Sequence, residues 1–118
     1  MVEMPYFLVQ ISYTSDSWRN LVREPKNRSE ILVPAIKNLG GEIECSFLSF
    51  GDHDAIGILH FPDDISAAAL SMMIMAGGGV KHVNTTPLIP WEEGIKAMEK
   101  AKRVAYKPPE SSPMLDRR

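Results

Sequence analysis

From Glu42 to Phe61 apolar and polar positions alternate on both sides of a turn. Ile43, Cys45, Phe47 and Ser49 interleave with Glu44, Ser46, Leu48 and Phe50, and Gly51-Asp52-His53-Asp54 then reverses the chain into Ala55-Ile56-Gly57-Ile58-Leu59-His60-Phe61. A period of two interrupted by Gly and Asp is the pattern of a β-hairpin, and this hairpin reads as the middle of a sheet. Tyr6 to Tyr13 repeats the alternation, with Phe7, Val9, Ile11 and Tyr13 on one side and Tyr6, Leu8, Gln10 and Ser12 on the other. Val80 to Thr86 reads as the last strand, Val80, His82, Asn84 and Thr86 alternating with Lys81, Val83 and Thr85.

Between these strands the period changes to that of a helix. Thr14-Ser15-Asp16-Ser17 offers capping side chains ahead of Trp18, Leu21 and Val22, which predicts a short helix ending before Pro25, with Trp18 as its anchor. Asn27 and Glu30 form a capping pair for a second helix, whose stripe of Leu32, Ala35, Ile36 and Leu39 runs to Gly40-Gly41. Pro34 interrupts that stripe and predicts either a kink or a later start. Pro62-Asp63-Asp64 places acids at the positive end of a third helix with an expected stripe of Ile65, Ala68, Ala69, Met72, Met73 and Ala76, closed by Gly77-Gly78-Gly79. Pro90 stands at a permitted first-turn position of a C-terminal helix, with Glu92 and Glu93 complementing its dipole and Trp91, Ile95 and Met98 expected to pack inward.

The resulting order is strand, helix, strand, strand, helix, strand, plus a C-terminal helix. This is the α+β, ferredoxin-like βαββαβ arrangement: a four-stranded antiparallel sheet with helices on one face. The first and last strands are expected either to flank the hairpin's second strand or to lie as edge partners. The opposite face stays uncovered and carries Leu8, Phe47 or Leu48, and one of the two alternating sets of the second hairpin strand. That much apolar surface predicts face-to-face self-association, hence a homo-oligomer. A single domain is expected over residues 1–106, and the Pro-rich stretch 107–118 reads as a disordered tail.

Composition narrows the partners. The 118 residues carry a net charge of −2 with Lys and Arg dispersed, so no basic footprint for nucleic acid is present. Cys45 is the sole cysteine, which rules out an intrachain disulfide and a cysteine metal cluster within one chain. No stretch reads as a leader or as a membrane span, so a cytoplasmic protein is expected.

Candidate chemistry is sparse. Asp52-His53-Asp54 sets a histidine between carboxylates, where it could act as a base or ligand, but neighbours in a turn diverge and Gly and Asp serve the turn itself. Gln10, His82 and Asn84 share the polar parity of their strands, and His60 joins them if its strand registers that way. If two uncovered faces enclose a cavity these groups could line it; otherwise they are hydrogen-bonded interface groups. Gly77-Gly78-Gly79 follows a helix, so the adjacent dipole end repels phosphate and a helix stop is the better reading. Met72, Met73 and Met75 read as core packing, as does Cys45. Trp18 and Trp91 open helices and read as seals of a core edge or a pocket mouth.

Several motifs agree in order and spacing with one family. Trp18 with Leu21, Pro25 and Arg28, then Leu39-Gly40-Gly41-Glu42, Phe50-Gly51 with Asp54, Phe61-Pro62-Asp63-Asp64, and Thr86-Pro87-Leu88 before Glu92-Glu93 resemble the GYD domain family, over roughly residues 4–106. The family's Gly-Tyr-Asp signature falls at the hairpin turn, where Gly51 and Asp54 fit and His53 stands in the tyrosine's place. The resemblance implies a ferredoxin-like fold of the dimeric α/β-barrel type, in which two sheets pack together. It also implies kinship with a wider group of cofactor-independent monooxygenases, isomerases, haem-handling enzymes and ligand-sensing domains, so it selects no single activity.

Three readings follow. The first is a homo-oligomer that binds a small, partly apolar molecule between sheet and helices or between subunits, with no cofactor and no metal, Gln10, His60, His82, Asn84 and Trp18 being the ligand-binding candidates. The second is a cofactor-independent oxygenase or isomerase using His53 or His82 for proton transfer. The third is an assembly or regulatory module without ligand chemistry.

Overall fold

In a computed structural model, described over residues 4–109, one four-stranded antiparallel sheet organises the protein, with four helices around it. The elements are β1 (Tyr6–Tyr13), α1 (Ser15–Arg23), α2 (Arg28–Asn38), β2 (Glu42–Leu48), β3 (Ala55–His60), α3 (Asp64–Gly77), β4 (Val80–Leu88) and α4 (Trp91–Lys102). The sheet order is β2-β3-β1-β4. This is an α+β arrangement whose element order fits a ferredoxin-like fold. The hairpin is not the middle of the sheet, as its pattern suggested: β3 and β1 are central, and β2 is an edge. β1 and β4 pair directly, Gln10 facing Asn84 and Leu8 facing Thr86.

Local chemistry starts and stops the helices. Thr14 caps α1 by accepting the Ser17 N–H at 3.1 Å, and Asn27 caps α2 by accepting the Ser29 N–H at 3.0 Å. α2 therefore begins at Arg28 and runs through Pro34, which is exposed, so the later start is not adopted. Asp63 caps α3 through the Ser66 N–H at 2.8 Å, and hydrogen bonds from Ser66 hold its carboxyl below the usual carboxylate range. At the other end of α3, Gly78 and Gly79 adopt φ of 76° and 86°, a region disfavoured for other residues. The Gly79 carbonyl then accepts from Thr14 N at 3.1 Å and Ser17 Oγ at 2.6 Å, tying the helix exit to the start of α1.

The core lies between the sheet and α1–α3. Phe7, Val9, Ile11 and Tyr13 of β1 are buried with Leu59, Phe61, Ile36, Ala67 and Leu70, and Trp18 and Leu21 pack on this cluster. Gly41 is obligatory here, because a Cβ would stand 2.6 Å from the Phe61 ring and from the His60 carbonyl oxygen.

Two bulges change which residues share a face. The β2–β3 register slips between Ile43 and Cys45, so Ile43 faces the helices while Cys45 and Phe47 face away, opposite Ile58 and Ile56. Strict alternation would have kept all three together. The β1–β4 register slips between Ser12 and Tyr13, which turns Val80 to the core side and leaves His82, Asn84 and Thr86 on the uncovered face. β4 extends to Leu88 with Pro87 inside it, a position an edge strand tolerates.

The α3 stripe differs from the expected one. Ala67 and Leu70 are buried, Ile74 packs on the core, and the Ser71 hydroxyl is hydrogen-bonded to that of Thr85 on β4. Ile65 and Met72 are instead 80% and 69% exposed, and Met73 and Met75 are exposed too, so this methionine run is not core packing. The segment is apolar on nearly every side, and periodicity gives no contrast from which to choose a face.

α4 also departs from expectation. Pro90 is its N-cap rather than a first-turn residue, and Trp91, Ile95 and Met98 are 78%, 52% and 58% exposed. The helix leaves from an edge strand and packs substantially on no other described element, so its apolar stripe stays largely exposed. Lys107 to Pro109 lie in no helix or strand, and the rest of the expected tail, 110–118, lies outside the described residues. Among the described residues no helix is long and apolar enough to cross a membrane.

Candidate functional site

On the helix side of the sheet, small residues leave space. Ala55 and Gly57 of β3 and Ser46 of β2 supply little bulk where Val9 and Ile11 form the floor, and a cavity of about 330 Å³ opens between these strands and α2. Gly57 cannot be enlarged without adjustment, because a Cβ would lie 3.1 Å from Leu59 Cδ1 and 3.3 Å from the Cys45 carbonyl oxygen. Leu32 and Ile36 of α2, Ile43 and Leu59 of the sheet, and Leu70 and Ile74 of α3 complete largely apolar walls. The volume is at the lower end of the range for small-molecule sites.

Apart from Ser46, the polar side chains of the lining gather at one end. Tyr13, at the end of β1, meets Lys26, Asn27, Arg28 and Ser29, where the α1–α2 connection enters α2. Burial pushes the Tyr13 hydroxyl above the usual phenol range, and the Arg28 guanidinium beside it offsets part of the rise. Tyr13 thus presents a neutral O–H at neutral pH. A second groove of about 570 Å³ adjoins this end, sharing Tyr13, Lys26 and Arg28 and reaching Ser17, Asn20 and the Gly77–Gly79 turn.

The Tyr13 end is fixed by the hairpin turn. Asp54 Oδ2 accepts the Tyr13 N–H at 2.8 Å, the Asp54 N–H donates to the Ile11 carbonyl at 2.8 Å, and the Asp54 carbonyl accepts the Ser49 N–H at 2.7 Å. One aspartate thereby ties the turn to the last residues of β1, next to the β1–β4 bulge. The flanking acid points elsewhere: Asp52 is exposed, and Gly51 has open space where a Cβ would stand.

The histidine and amide candidates occupy the other face of the sheet. Gln10 pairs with Asn84 and Ile56, and Ser12 pairs with His82. The His53 ring stacks on that of His82, centroids 6.4 Å apart and planes 10° from parallel, while His53 Nδ1 is buried with no hydrogen-bond partner among the described residues. His60 shares this face but lies at the far end of the strands, against Tyr6 with ring centroids 4.2 Å apart. Its Nε2 is 2.8 Å from Glu44 Oε1, and that hydrogen bond raises its pKa above the ordinary imidazole value. The fold therefore gathers Gln10, Asn84, His82 and His53 at one end of the uncovered face and separates His60 from them. None of the five lines the cavity.

Trp18 stands on the helix side, edge-on to Tyr13 with ring centroids 5.7 Å apart, and packs on the core. Among the described residues no three His, Cys, Asp or Glu side chains come together as a metal-binding group. Lys26 does not stand out in the sequence, Tyr13 reads there only as a strand residue and Arg28 only as part of the family motif, so the polar end of the cavity is missed. The available signal was Tyr13 itself, a hydroxyl ending an otherwise apolar strand face.

The sequence model of the GYD domain family matches residues 7–98, spanning β2 to β4, all of β1 but its first residue, and most of α4. No curated protein and no solved structure matches the chain. With the family match covering most of its length, and with Gly51 and Asp54 at the hairpin turn, the chain belongs to the GYD domain family.

Proposed function

We infer that this is a homo-oligomeric small-molecule-binding domain, with its ligand in the cavity between the sheet and α2 and its uncovered sheet face packed on a second copy. The observation that carries the reading is the unequal use of the two faces. On the helix side a largely apolar space has its charged groups at one end only, which is the composition of a site that orients a small, partly apolar molecule. On the other side Leu8 and Ile58, with Ile56 and Phe47 toward the β2 edge where they also border the cavity, form an apolar surface on which no helix of the same chain packs substantially. Phe47 is 63% exposed in the single chain. Exposed apolar area of this kind favours burial against a partner, and a two-fold axis lets one patch meet itself.

The enzyme reading gains no geometric support, since His53 and His82 lie across the sheet from the cavity. A cavity-filling variant tests the binding reading. Ser46 is exposed on an edge strand and lines the space, so Ser46→Phe fills it while leaving the core untouched. A metabolite present at 100 times its dissociation constant stabilises by about 2.7 kcal/mol, roughly 10–20 °C in melting temperature for a domain of this size. In a broad thermal-shift screen, compounds that stabilise the wild type are expected to lose their effect on Ser46→Phe. A screen without stabilisers, or stabilisers acting equally on both proteins, refutes it.

A further inference from the structure

The charges at the cavity mouth point to a class of ligand. Lys26 and Arg28 are the only ionised side chains in the lining, both cationic, with no acid among them. The chain as a whole has more acids than bases, 15 against 13, so a local excess of cations is not a consequence of composition. The ion pairs among the described residues are Arg19 with Asp16, His60 with Glu44 and Lys96 with Glu93, and neither Lys26 nor Arg28 takes part in one. Helix stability gives no reason for this placement either. Arg28 is the first residue of α2 and Lys26 lies just before the cap, where the positive end of the helix dipole disfavours cations. Glu30 in the same turn offsets part of that cost but does not line the cavity. Glu24 lines the adjoining groove, where Arg23, Lys26 and Arg28 outnumber it. Asp54 is also outside the lining, and its Oδ2 accepts the Tyr13 N–H.

We propose that the cavity binds a small carboxylate with a hydrocarbon body, the carboxylate held by Arg28 and Lys26 beside the Tyr13 hydroxyl and the body lying against Leu32, Ile36 and Leu59. This rests on the assignment of the cavity as the binding site. A guanidinium has five N–H donors and can hold a carboxylate through two of them while still contacting Tyr13. The neutral Tyr13 O–H supplies a further donor. The apolar walls take a body that has no hydrogen bonds to lose on leaving water. A cationic ligand would meet two like charges at the entrance.

Isothermal titration calorimetry with octanoate, 1-octanol and octylamine on the full chain tests this, using the wild type, Arg28→Gln, Lys26→Gln and Ser46→Phe. Octanoate is expected to bind roughly ten-fold or more tightly than either analogue, and Arg28→Gln to remove most of that preference while leaving 1-octanol unchanged. Lys26→Gln is expected to weaken octanoate in the same direction by a smaller factor, and it keeps the test open should Arg28→Gln fold poorly. If the wild type binds 1-octanol or octylamine as tightly as octanoate and Ser46→Phe blocks them, the carboxylate assignment is overturned and the cavity stands. If octanoate binds Ser46→Phe as well as wild type, the cavity assignment falls with it. Absence of octanoate binding to the wild type overturns the carboxylate assignment alone.

Discussion

Replacing Asp54 by Ala separates a backbone role for the signature aspartate from a chemical one. The carboxylate accepts the Tyr13 N–H at 2.8 Å, and Tyr13 is buried, 8% exposed. Truncation removes the acceptor and leaves a main-chain donor at the β1–β4 bulge with little access to water. Leaving such a group unsatisfied costs about 1–3 kcal/mol, and the two main-chain hydrogen bonds of residue 54 do not depend on its side chain. Asp54→Ala should therefore lose about 1–3 kcal/mol in urea unfolding, with the slope against denaturant unchanged, or roughly 4–20 °C in melting temperature for a domain near 100 residues. Asp54→Asn retains a carbonyl oxygen in the same place and should lose less than about 1 kcal/mol, since only the charge assistance is gone. The ordering of the two variants is the diagnostic. If Asp54→Ala unfolds within about 0.5 kcal/mol of wild type, as an ordinary surface substitution would, the carboxylate is not holding β1 to the turn. If Asn is as damaging as Ala, charge rather than geometry governs the position.

Two further outcomes follow from named contacts. The Glu44 hydrogen bond raises the His60 pKa, so the pair stabilises the fold fully below the ordinary imidazole value near 6.5 and the contribution fades as pH rises through the raised folded value. The stability difference between wild type and Glu44→Gln, from urea unfolding at about pH 6 and about pH 9, should be largest at the lower pH and vanish at the higher; a difference independent of pH contradicts the pairing. On the uncovered face, Phe47→Glu places a charge on a side chain already 63% exposed, so folding stability should change little. Sedimentation velocity should show wild type as a dimer or larger and Phe47→Glu shifted toward monomer, whereas a monomeric wild type at tens of micromolar (roughly the range such interfaces hold together) refutes the self-association surface.

The fold was legible because the strands and most helices carry their own signals. Alternation in β1 and the hairpin, capping residues at Thr14, Asn27 and Asp63, and the Gly40-Gly41 and Gly77–Gly79 stops were enough to give element order and the covered face. What was not legible depends on contacts between elements. A bulge is a mismatch between two strands, and neither strand alone reveals that Ile43 and Val80 change sides. The run from Ala67 to Ala76 is too uniformly apolar to show which face meets β4, and Ser71 opposite Thr85 is a long-range fact. The site was the least legible part. Lys26 and Arg28 look like ordinary solvated charges at a helix start, and the space they guard depends on Ser46 and Gly57, cross-strand partners in the hairpin, both being small beneath α2. The histidines drew notice for their chemistry, yet strand parity places His60 and His82 on the uncovered face.

The binding reading is tested most directly by a methyl-region NMR titration of octanoate against the full chain, with isoleucine, leucine and valine methyls assigned. If the ligand occupies the space under α2, the methyls of Leu32, Ile36, Ile43, Leu59 and Ile74 should shift together and saturably, while those of Leu8 and Ile58 on the opposite face move little. The reverse pattern, with saturable shifts at Leu8 and Ile58 and none at Ile36 or Ile74, would place the ligand over Gln10 and His82 and contradict the account.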